Sequence, residues 1–299
     1  IKNEEAKVLL ESGVEVASTD AVYSDSASSM IENTVADENK LYGFWVGYFE
    51  KDMKEDVDNE KAIYADEYEW QRENKINISI DKIVGEIVTG HSVVAGNNRP
   101  FSGTVKNEAG VYHFDVKEPG DNKYDGAFTF RITDTLLEGT WKAFKTIDIP
   151  KRKYRLTKKV FKYNPDIMLT LDAKRFVDWE KSKSKVLSVE GEEEYRNVYF
   201  SAATKLIFTV NASNKLLTVK EVENLKKGDL LVIRNTIYAR HGYSFKNRPL
   251  RVFFDAQPWY IPVFSDIKSE FTDIEKKNIE LLLRYEKNAK EYYDYFGRG

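Results

Sequence analysis

Cysteine is absent from the 299-residue sequence. The chain therefore forms no disulfide, offers no thiolate to a metal and carries no cysteine nucleophile. A run of about 18 apolar residues is also lacking, so the sequence predicts no membrane-spanning helix. The 46 Lys and Arg residues nearly balance the 49 Asp and Glu residues, for a net charge of −3. Such a balance creates no overall field that would attract phosphates, and we predict no nucleic-acid partner.

Histidine is scarce, with only His91, His113 and His241 in the chain. Neither a His-x-x-x-His nor a His-Glu-x-x-His spacing occurs, so no two histidines form a metal-binding pair on one helical face. The sequence also lacks a Gly-x-Ser-x-Gly elbow and a glycine-rich phosphate loop after a strand. We therefore predict no metal, no cofactor and no catalytic residue.

Aromatic residues are abundant, with 18 Tyr, 17 Phe and 5 Trp. The stretch 74–81 places Ile76, Ile78 and Ile80 on one face and polar residues on the other, which is typical of a strand with one buried face. The stretches 111–117 and 126–133 alternate in the same way. Further strands are predicted at 41–49, 62–70, 83–90, 99–106, 135–144 and 153–163.

The first of these strands, 41–49, differs because both of its faces are apolar. A strand that is buried on both sides belongs where a barrel closes or under a covering element. About nine short strands separated by turn residues favour an antiparallel barrel or a sandwich. The predicted fold class is therefore α+β: an antiparallel β barrel or sandwich, followed by a small all-helical module.

The hydrophobic pattern becomes helical in the last third of the chain. Thr218 and Glu221 have the spacing of a capping box, and Gly228 is predicted to end that first helix. Asp229 is expected to cap a second helix, which ends at Gly242.

Two further helices are predicted beyond it. The run Asn247-Arg248-Pro249 starts the third, with proline in an allowed first-turn position. A second capping box, formed by Thr272 and Glu275, opens the fourth, which is amphipathic.

These patterns divide the chain into five parts. They are a polar arm or linker at 1–39, an antiparallel β domain at 40–165, a connecting region at 166–217, a helical domain at 218–290 and a tail at 291–299. Within the connecting region, 175–179 and 192–203 are compatible with helix and 205–210 with a short strand. The polar composition of the arm is typical of a tether, with a docked arm as the alternative.

The pentapeptide Tyr238-Ala239-Arg240-His241-Gly242 is followed by the pair Phe253-Phe254 and by Trp259-Tyr260 with Pro262. This spacing, over about 218–288, resembles the YARHG domain, a bacterial module with no established molecular function. The resemblance implies an exported protein that is periplasmic, outer-membrane-associated or at the cell surface. The β region 41–163 resembles lipocalin-like barrels through Gly43-Phe44-Trp45 and its number of strands.

A lipocalin-like barrel would turn its large aromatic residues inward, where they could bind a small apolar ligand. The six candidates are Trp45, Tyr112, Phe114, Phe128, Phe130 and Trp141. In the helical domain, the residues expected to serve structure or recognition are Tyr238, Arg240, His241, Gly242, Trp259 and Tyr260. Aromatic residues there are expected mainly in the core, with Tyr260 partly exposed.

His241 admits two interpretations. It lies at a predicted helix C-terminus, where a cationic side chain satisfies free carbonyl groups while Gly242 adopts the left-handed conformation. It could instead act as a general base, oriented by a carboxylate such as Asp255, with a nucleophile or water nearby in an open cleft.

The sequence thus favours a non-catalytic exported or cell-envelope protein that binds a small apolar ligand or an envelope protein or peptide. The alternative is an envelope hydrolase, or a module associated with a peptidase, that uses His241. A purely structural or inhibitory module is a third possibility. Because the chain begins with Ile-Lys-Asn-Glu and not with Met, we expect that a signal segment, with or without a lipid anchor, has been removed.

Overall fold

The computed structural model describes residues 40–52, 73–170, 176, 183–187, 195–199, 203–267 and 270–289. Eight antiparallel strands in the first part of the chain close into a barrel in sequential order. Their bounds are β1 Gly43–Lys51, β2 Asn74–Val84, β3 Ile87–Val94, β4 Asn97–Glu108, β5 Val111–Lys117, β6 Gly126–Thr133, β7 Leu136–Ala143 and β8 Lys151–Lys159. Of the two architectures that the sequence left open, the structure has the barrel.

The barrel closes between its first and last strands. β1 pairs with β2 on one side and with β8 on the other. Trp45 and Val46 are neighbours in sequence and point to opposite faces, yet both are buried. Gly47 allows the close approach of β8, because a Cβ atom there would lie 2.4 Å from the carbonyl oxygen of Arg155. The prediction that the doubly apolar strand lies at the closure is therefore confirmed.

Alternation along the strands fills the barrel with apolar side chains. The interior includes Trp45, Ile78, Phe114, Phe130, Leu137 and Leu156. Phe114 and Phe130 are partners on β5 and β6, and their rings stack at 4.6 Å between centroids. The inward-facing residues therefore form a core at this level of the barrel.

One predicted strand is placed wrongly. The stretch 83–90 spans a hairpin, in which β2 ends at Val84, a turn follows at 85–86, and β3 begins at Ile87. The predicted strand at 62–70 and the arm at 1–39 lie outside the described residues, as does the tail.

The remaining elements follow the barrel. β9 Lys183–Leu187 and β10 Tyr195–Tyr199 form a two-stranded antiparallel sheet. A 3-10 helix at Lys205–Phe208 precedes the α-helices α1 Val219–Val222, α2 Lys227–Arg240, α3 Arg248–Asp255 and α4 Asp273–Glu286. None of the helices that the structure describes is long and apolar enough to cross a membrane.

Two predictions for the connecting region are wrong. Residues 195–199 form a strand and not part of a helix, in keeping with the strand preference of Tyr195, Val198 and Tyr199. The predicted strand at 205–210 is a 3-10 helix, because the Thr204 side chain caps it by accepting a hydrogen bond from the backbone N–H of Leu206 at 3.1 Å. The predicted helix at 175–179 falls mostly outside the described residues.

The start of α2 also differs from its prediction. α1 ends at Val222, and Gly228 lies inside the first turn of α2 instead of ending the preceding helix. Asp229 is the third helical residue and not the N-cap: its carboxylate reaches back to accept from the backbone N–H of Lys226 at 3.2 Å. The capping box at Thr272 and Glu275 is confirmed, as is the start of α3 at Asn247.

The helices share a core of their own around α2. Leu230, Ile233 and Ile237 of α2 pack with Phe254 of α3 and with Tyr260. Tyr260 is fully buried, so the expectation of partial exposure is wrong: its hydroxyl donates to the carbonyl of Tyr243 at 2.6 Å, which makes burial of the phenol tolerable. From Leu41 onward, the barrel and the helices belong to one compact unit.

Candidate functional site

A cavity of about 380 Å³ lies at one end of the barrel. The end of β1, the start of β2 and the β3–β4 hairpin line one side of it. The β5–β6 and β7–β8 connections line the other side, and helix α3 contributes as well. The cavity thus lies at the end opposite to the β2–β3 hairpin.

The cavity forms where the inward positions of the strands change from apolar to polar. On β5, the inward positions Phe114 and Val116 are followed by Glu118. On β8, Leu156 and Tyr154 are preceded at the same spacing by Arg152. The same period of two places Asn74, Ser92 and Arg99 at this end of the barrel.

Three aromatic residues, Phe49, Phe128 and Trp141, line the cavity, and we call them the aromatic wall. Phe128 and Trp141 are direct partners on β6 and β7 and therefore share the inward face. The Phe49 ring lies 5.7 Å from that of Trp141 and 6.3 Å from that of Phe128, between ring centroids. These rings give the cavity a large apolar surface.

Glu118 also lines the cavity and is buried. Its carboxylate accepts from the backbone N–H of Gly126 at 2.7 Å and from the indole N–H of Trp141 at 3.2 Å. Burial raises the pKa of Glu118, although both hydrogen bonds act in the opposite direction. Glu118 therefore holds Trp141 in position.

Arginine side chains form the polar part of the cavity wall. Arg99 makes an ion pair with Asp125. Arg152 donates to the carbonyl of Phe49 at 2.8 Å, and its guanidinium lies over the Phe49 ring at 4.9 Å. Burial and the positive charge of Arg251 lower the pKa of Arg152 to about 10. Within the described residues, Asn74 Oδ1 and Ser92 Oγ in the same wall are buried without a hydrogen-bond partner.

Helix α3 adds Arg248 and Arg251 to the cavity wall. The Asn247 side chain caps its N-terminus by accepting from the backbone N–H of Leu250 at 3.0 Å. Arg251 is half-buried and donates to the carbonyl of Lys246 at 3.2 Å, whereas Arg248 is exposed. The barrel and the helical region therefore both contribute to the same cavity.

The C-terminal end of α3 is joined to the barrel by polar contacts among Tyr48, Lys75, Asp255, Gln257 and Tyr260, which we call the junction. The Asp255 carboxylate accepts from the backbone N–H of Lys75 at 2.8 Å, and its carbonyl accepts from the Tyr48 hydroxyl at 2.9 Å. The Lys75 ammonium donates to the carbonyls of Gln257 and Tyr260, both at 3.0 Å. These bonds fix α3 against β1 and β2.

The junction buries two ionisable groups. Burial raises the pKa of Asp255 to about 7, although the backbone N–H and the charge of Lys75 act against the rise. Burial also lowers the pKa of Lys75 to about 8, against the opposing effect of Asp255. Asp255 thus serves the junction, so the hypothesis that it orients His241 is wrong.

The pentapeptide 238–242 lies at the end of α2 and connects this helix to other segments of the chain. The Arg240 side chain donates to the carbonyl of Ile167 and to the hydroxyl of Ser213, both at 2.9 Å. Gly242 has a φ of +72°, which confirms the predicted left-handed conformation. Tyr238 packs edge-on against Phe271 at 4.8 Å. These contacts join α2 to three other segments of the chain.

His241 is buried and bonds to a carboxylate. Its Nε2 lies 2.8 Å from Glu275 Oε2, and its ring stacks on that of Tyr163 at 4.3 Å between centroids. The Tyr163 hydroxyl donates to the other Glu275 oxygen at 3.0 Å. Burial acts to raise the pKa of Glu275, but the hydrogen bonds from His241 and Thr272 outweigh it and the pKa is lowered. The carboxylate that orients His241 is therefore Glu275.

The six aromatic residues proposed for ligand binding all lie in or against the barrel core. Two of them, Phe128 and Trp141, line the cavity, whereas the other four pack elsewhere in the barrel. Their ligand-binding role stays a prediction, for which the cavity favours Phe128 and Trp141. Trp259 is partly buried, with its indole N–H unbonded among the described residues. No group of three or more metal-binding side chains occurs in the part of the chain that the structure describes.

This geometry defines the class of protein. It is an eight-stranded antiparallel barrel with a cavity at one end and a helical region packed against that end. Residues 205–287 match the family model of the YARHG domain, so the chain contains a YARHG domain, as the pentapeptide indicated. The match includes the 3-10 helix and all four α-helices.

The barrel is similar to a solved structure, described as the crystal structure of Echinococcus granulosus fatty-acid-binding protein 1. The identity is 12%, the match covers 41% of this chain and 99% of that one, and the TM-score is 0.23. A likeness at this level carries no argument about function. No curated protein matches the chain.

Sequence reasoning missed the polar residues of the cavity. Arg152 and Glu118 continue the inward alternation of β8 and β5, so extending that alternation to the strand ends would have found them. Arg251 carries no such signal. Its position depends on how α3 docks against the barrel, and local pattern does not specify that docking.

Proposed function

We propose that this chain is a non-catalytic binding protein whose barrel cavity holds a small ligand with a large apolar part. The observation that carries the proposal is the cavity of about 380 Å³ with its aromatic wall. Pockets that hold small ligands range from roughly 300 to 1,000 Å³ and combine apolar surface with a few polar groups. The unbonded oxygens of Asn74 and Ser92 and the arginines would supply those polar contacts.

We further propose that the protein is exported, in the periplasm, at the outer membrane or at the cell surface. The YARHG domain at 205–287 supports this location. The division into a β domain at 40–165 and a helical domain at 218–290 belongs to the same proposal, with the two parts acting together.

The hydrolase alternative receives no support from the geometry around His241. This histidine is buried and bonded to Glu275, which is itself fully buried, and it does not line the cavity. A general base must reach the proton that it abstracts from a bound substrate. A structural interpretation accounts for the contacts of His241, which joins the end of α2 to Glu275 of α4 and stacks on Tyr163.

The neutral fluorescent probe N-phenyl-1-naphthylamine tests the binding proposal. Ile147 lines the cavity and is partly buried, so Ile147→Trp would fill space there. We expect the full chain to bind the probe and Ile147→Trp to raise its Kd by about tenfold, equivalent to about 1.4 kcal/mol. The matched control is Ile87→Trp, because Ile87 is 64% exposed and does not line the cavity. Equal Kd values for the two variants, or no binding to the native chain, would contradict the proposal.

A further inference from the structure

Two neutral side chains in the cavity wall each bury an oxygen atom that has no hydrogen-bond partner among the described residues. These atoms are Asn74 Oδ1 and Ser92 Oγ. Both residues line the cavity, and their exposed fractions are only 9% and 1%. A buried polar atom without a partner is costly, and such atoms are therefore few in folded proteins. Two of them in one wall point to polar groups of a ligand that approach from the cavity.

Asn74 and Ser92 lie at different depths on the inward face of the barrel. Asn74 begins β2 and is the partner of Phe49, which belongs to the aromatic wall. Ser92 of β3 lies opposite Ile78, a core residue four positions after Asn74 on β2. At about 3.3 Å per residue, the two levels are roughly 13 Å apart along the strands. One small polar group therefore cannot bond to both side chains, and two separate groups are needed.

The chemistry of the two oxygens specifies what each polar group of a ligand must be. An amide oxygen only accepts, so Asn74 Oδ1 requires an O–H or N–H group on the ligand. A hydroxyl both donates and accepts, so Ser92 can bond to a hydroxyl or a carbonyl. The aromatic wall lines the same cavity and would contact the apolar part of the molecule.

The charged side chains of the wall favour an uncharged ligand, because each of them already has a partner or is in contact with solvent. Arg99 forms an ion pair with Asp125. Glu118 accepts two hydrogen bonds, and Arg152 and Arg251 each donate to a backbone carbonyl. The two other charged lining residues are exposed. A charged group on the ligand would have to displace one of these partners or lose hydration without compensation.

We propose that the ligand of the barrel cavity is an uncharged molecule with an apolar body and two neutral polar groups. One group donates a hydrogen bond to Asn74 Oδ1 near the end of the barrel, and the other bonds to the Ser92 hydroxyl deeper inside. Alcohols with a second hydroxyl or a carbonyl at the far end of an apolar body are of this class. This inference rests on the proposed function, because it names the class of ligand that the cavity takes.

A pair of competitors that differ in their hydroxyl groups tests this two-point binding. 2,6-Dihydroxynaphthalene has a hydroxyl at each end of its ring system, whereas 2-methylnaphthalene has none. Their inhibition constants are measured by displacement of N-phenyl-1-naphthylamine from the native chain and its variants. We expect Asn74→Leu and Ser92→Ala each to raise the inhibition constant of the diol about fivefold, as for the loss of one hydrogen bond. The inhibition constant of 2-methylnaphthalene should not rise.

The matched control is Ser102→Ala, because Ser102 is exposed on β4 and does not line the cavity. It should leave both inhibition constants unchanged. Should Asn74→Leu fail to fold, as judged by circular dichroism, Asn74→Ala replaces it with the same expected result. A third competitor, 6-hydroxy-2-naphthoate, carries a carboxylate in place of one hydroxyl and should displace the probe less readily than the diol does.

Several results would overturn the inference. Variants that weaken both competitors equally, or that leave the diol unaffected, would show that the two oxygens do not bind the ligand. A rise for only one of the two variants would contradict binding at two points, and tighter binding of the naphthoate than of the diol would contradict an uncharged ligand. If the probe binds and responds to Ile147→Trp in any of these cases, only this inference fails. If the probe does not bind the native chain, the proposed function fails as well.

Discussion

Asp255 is the residue on which the contact between barrel and helices depends most. Its side chain bonds the backbone of β2, its carbonyl accepts from Tyr48 of β1, and the residue itself ends α3. Because the site is fully buried, the ionised carboxylate loses hydration, and the single backbone N–H and the nearby Lys75 compensate only in part. The pKa of about 7 follows from that balance.

This raised pKa predicts how stability depends on pH. Between the usual value of 3.8 and about 7, the folded state keeps a proton on Asp255 that the unfolded state has lost. The contribution of Asp255 to stability therefore falls as the pH rises through this range, with a slope of at most about 1.4 kcal/mol per pH unit. Asp255→Asn, whose amide oxygen still accepts from Lys75, should remove this slope. Urea unfolding of both proteins from pH 4 to 7 measures the difference.

The control for this experiment is Asp115→Asn. Asp115 is exposed, and the hydrogen bond that it accepts from Thr129 at 2.9 Å can also be made by an amide oxygen. The stability difference between this variant and the native chain should stay constant from pH 4 to 7. A constant difference for Asp255→Asn as well would show that Asp255 does not titrate in that range.

At the scale of elements, strand positions can be predicted from the sequence, because packing into the barrel core makes apolar and polar residues alternate along each strand. The run Ile76, Ile78, Ile80 predicts both β2 and its inward face. Helix boundaries are harder to predict, because several residues near a helix end can satisfy the same free backbone groups. Asp229 is of a residue type favoured at N-caps, but it acts from the third helical position.

The cavity shows the same division between local and tertiary information. Phe128 and Trp141 were predicted to face inward, and Glu118 and Arg152 follow from the same alternation at the strand ends. Arg251 comes near Arg152 only because α3 docks on the barrel. That docking depends on the junction between residues distant in sequence, such as Lys75 and Asp255. Docking of this kind cannot be read from periodicity, which reports only which face of each element is buried.

Gly242 offers a test of how α2 is joined to the segment after the barrel. Its φ of +72° disfavours other residues, and a Cβ atom there would lie 2.6 Å from Val263 Cγ2 and 2.8 Å from Phe161 Cε2. Gly85 has a similar φ of +60° in the β2–β3 hairpin, with nothing within 4 Å of such an atom. The two glycines therefore share the backbone requirement and differ in packing.

We expect Gly85→Ala to lower the free energy of unfolding by about 1–2 kcal/mol, which is the cost of the left-handed conformation. Gly242→Ala should cost about 1–3 kcal/mol more because of overpacking against Val263 and Phe161. Urea unfolding of the two variants measures both values. Equal losses would mean that the contacts of Gly242 with these two side chains are not tight.

At the scale of the whole molecule, the barrel and the YARHG domain form one compact unit with a shared cavity. The junction fixes the C-terminal end of α3, and Ser244 accepts a hydrogen bond from the backbone N–H of Gly96 in the β3–β4 hairpin at 2.9 Å. Arg251 lies between these two attachments along the chain. A ligand that contacts both the barrel wall and α3 in this cavity would therefore stabilise both parts, because a ligand that binds only the folded, docked state favours that state.

Hydrogen exchange with and without N-phenyl-1-naphthylamine tests the shared cavity most directly. If the cavity belongs to both parts, saturating probe should slow exchange of backbone amides in α3, at Arg248–Asp255, as well as at the start of β8. Ile147→Trp, which fills space in the cavity, should reduce the added protection in α3. Protection confined to the barrel strands, with exchange in α3 unchanged by the probe, would contradict the account.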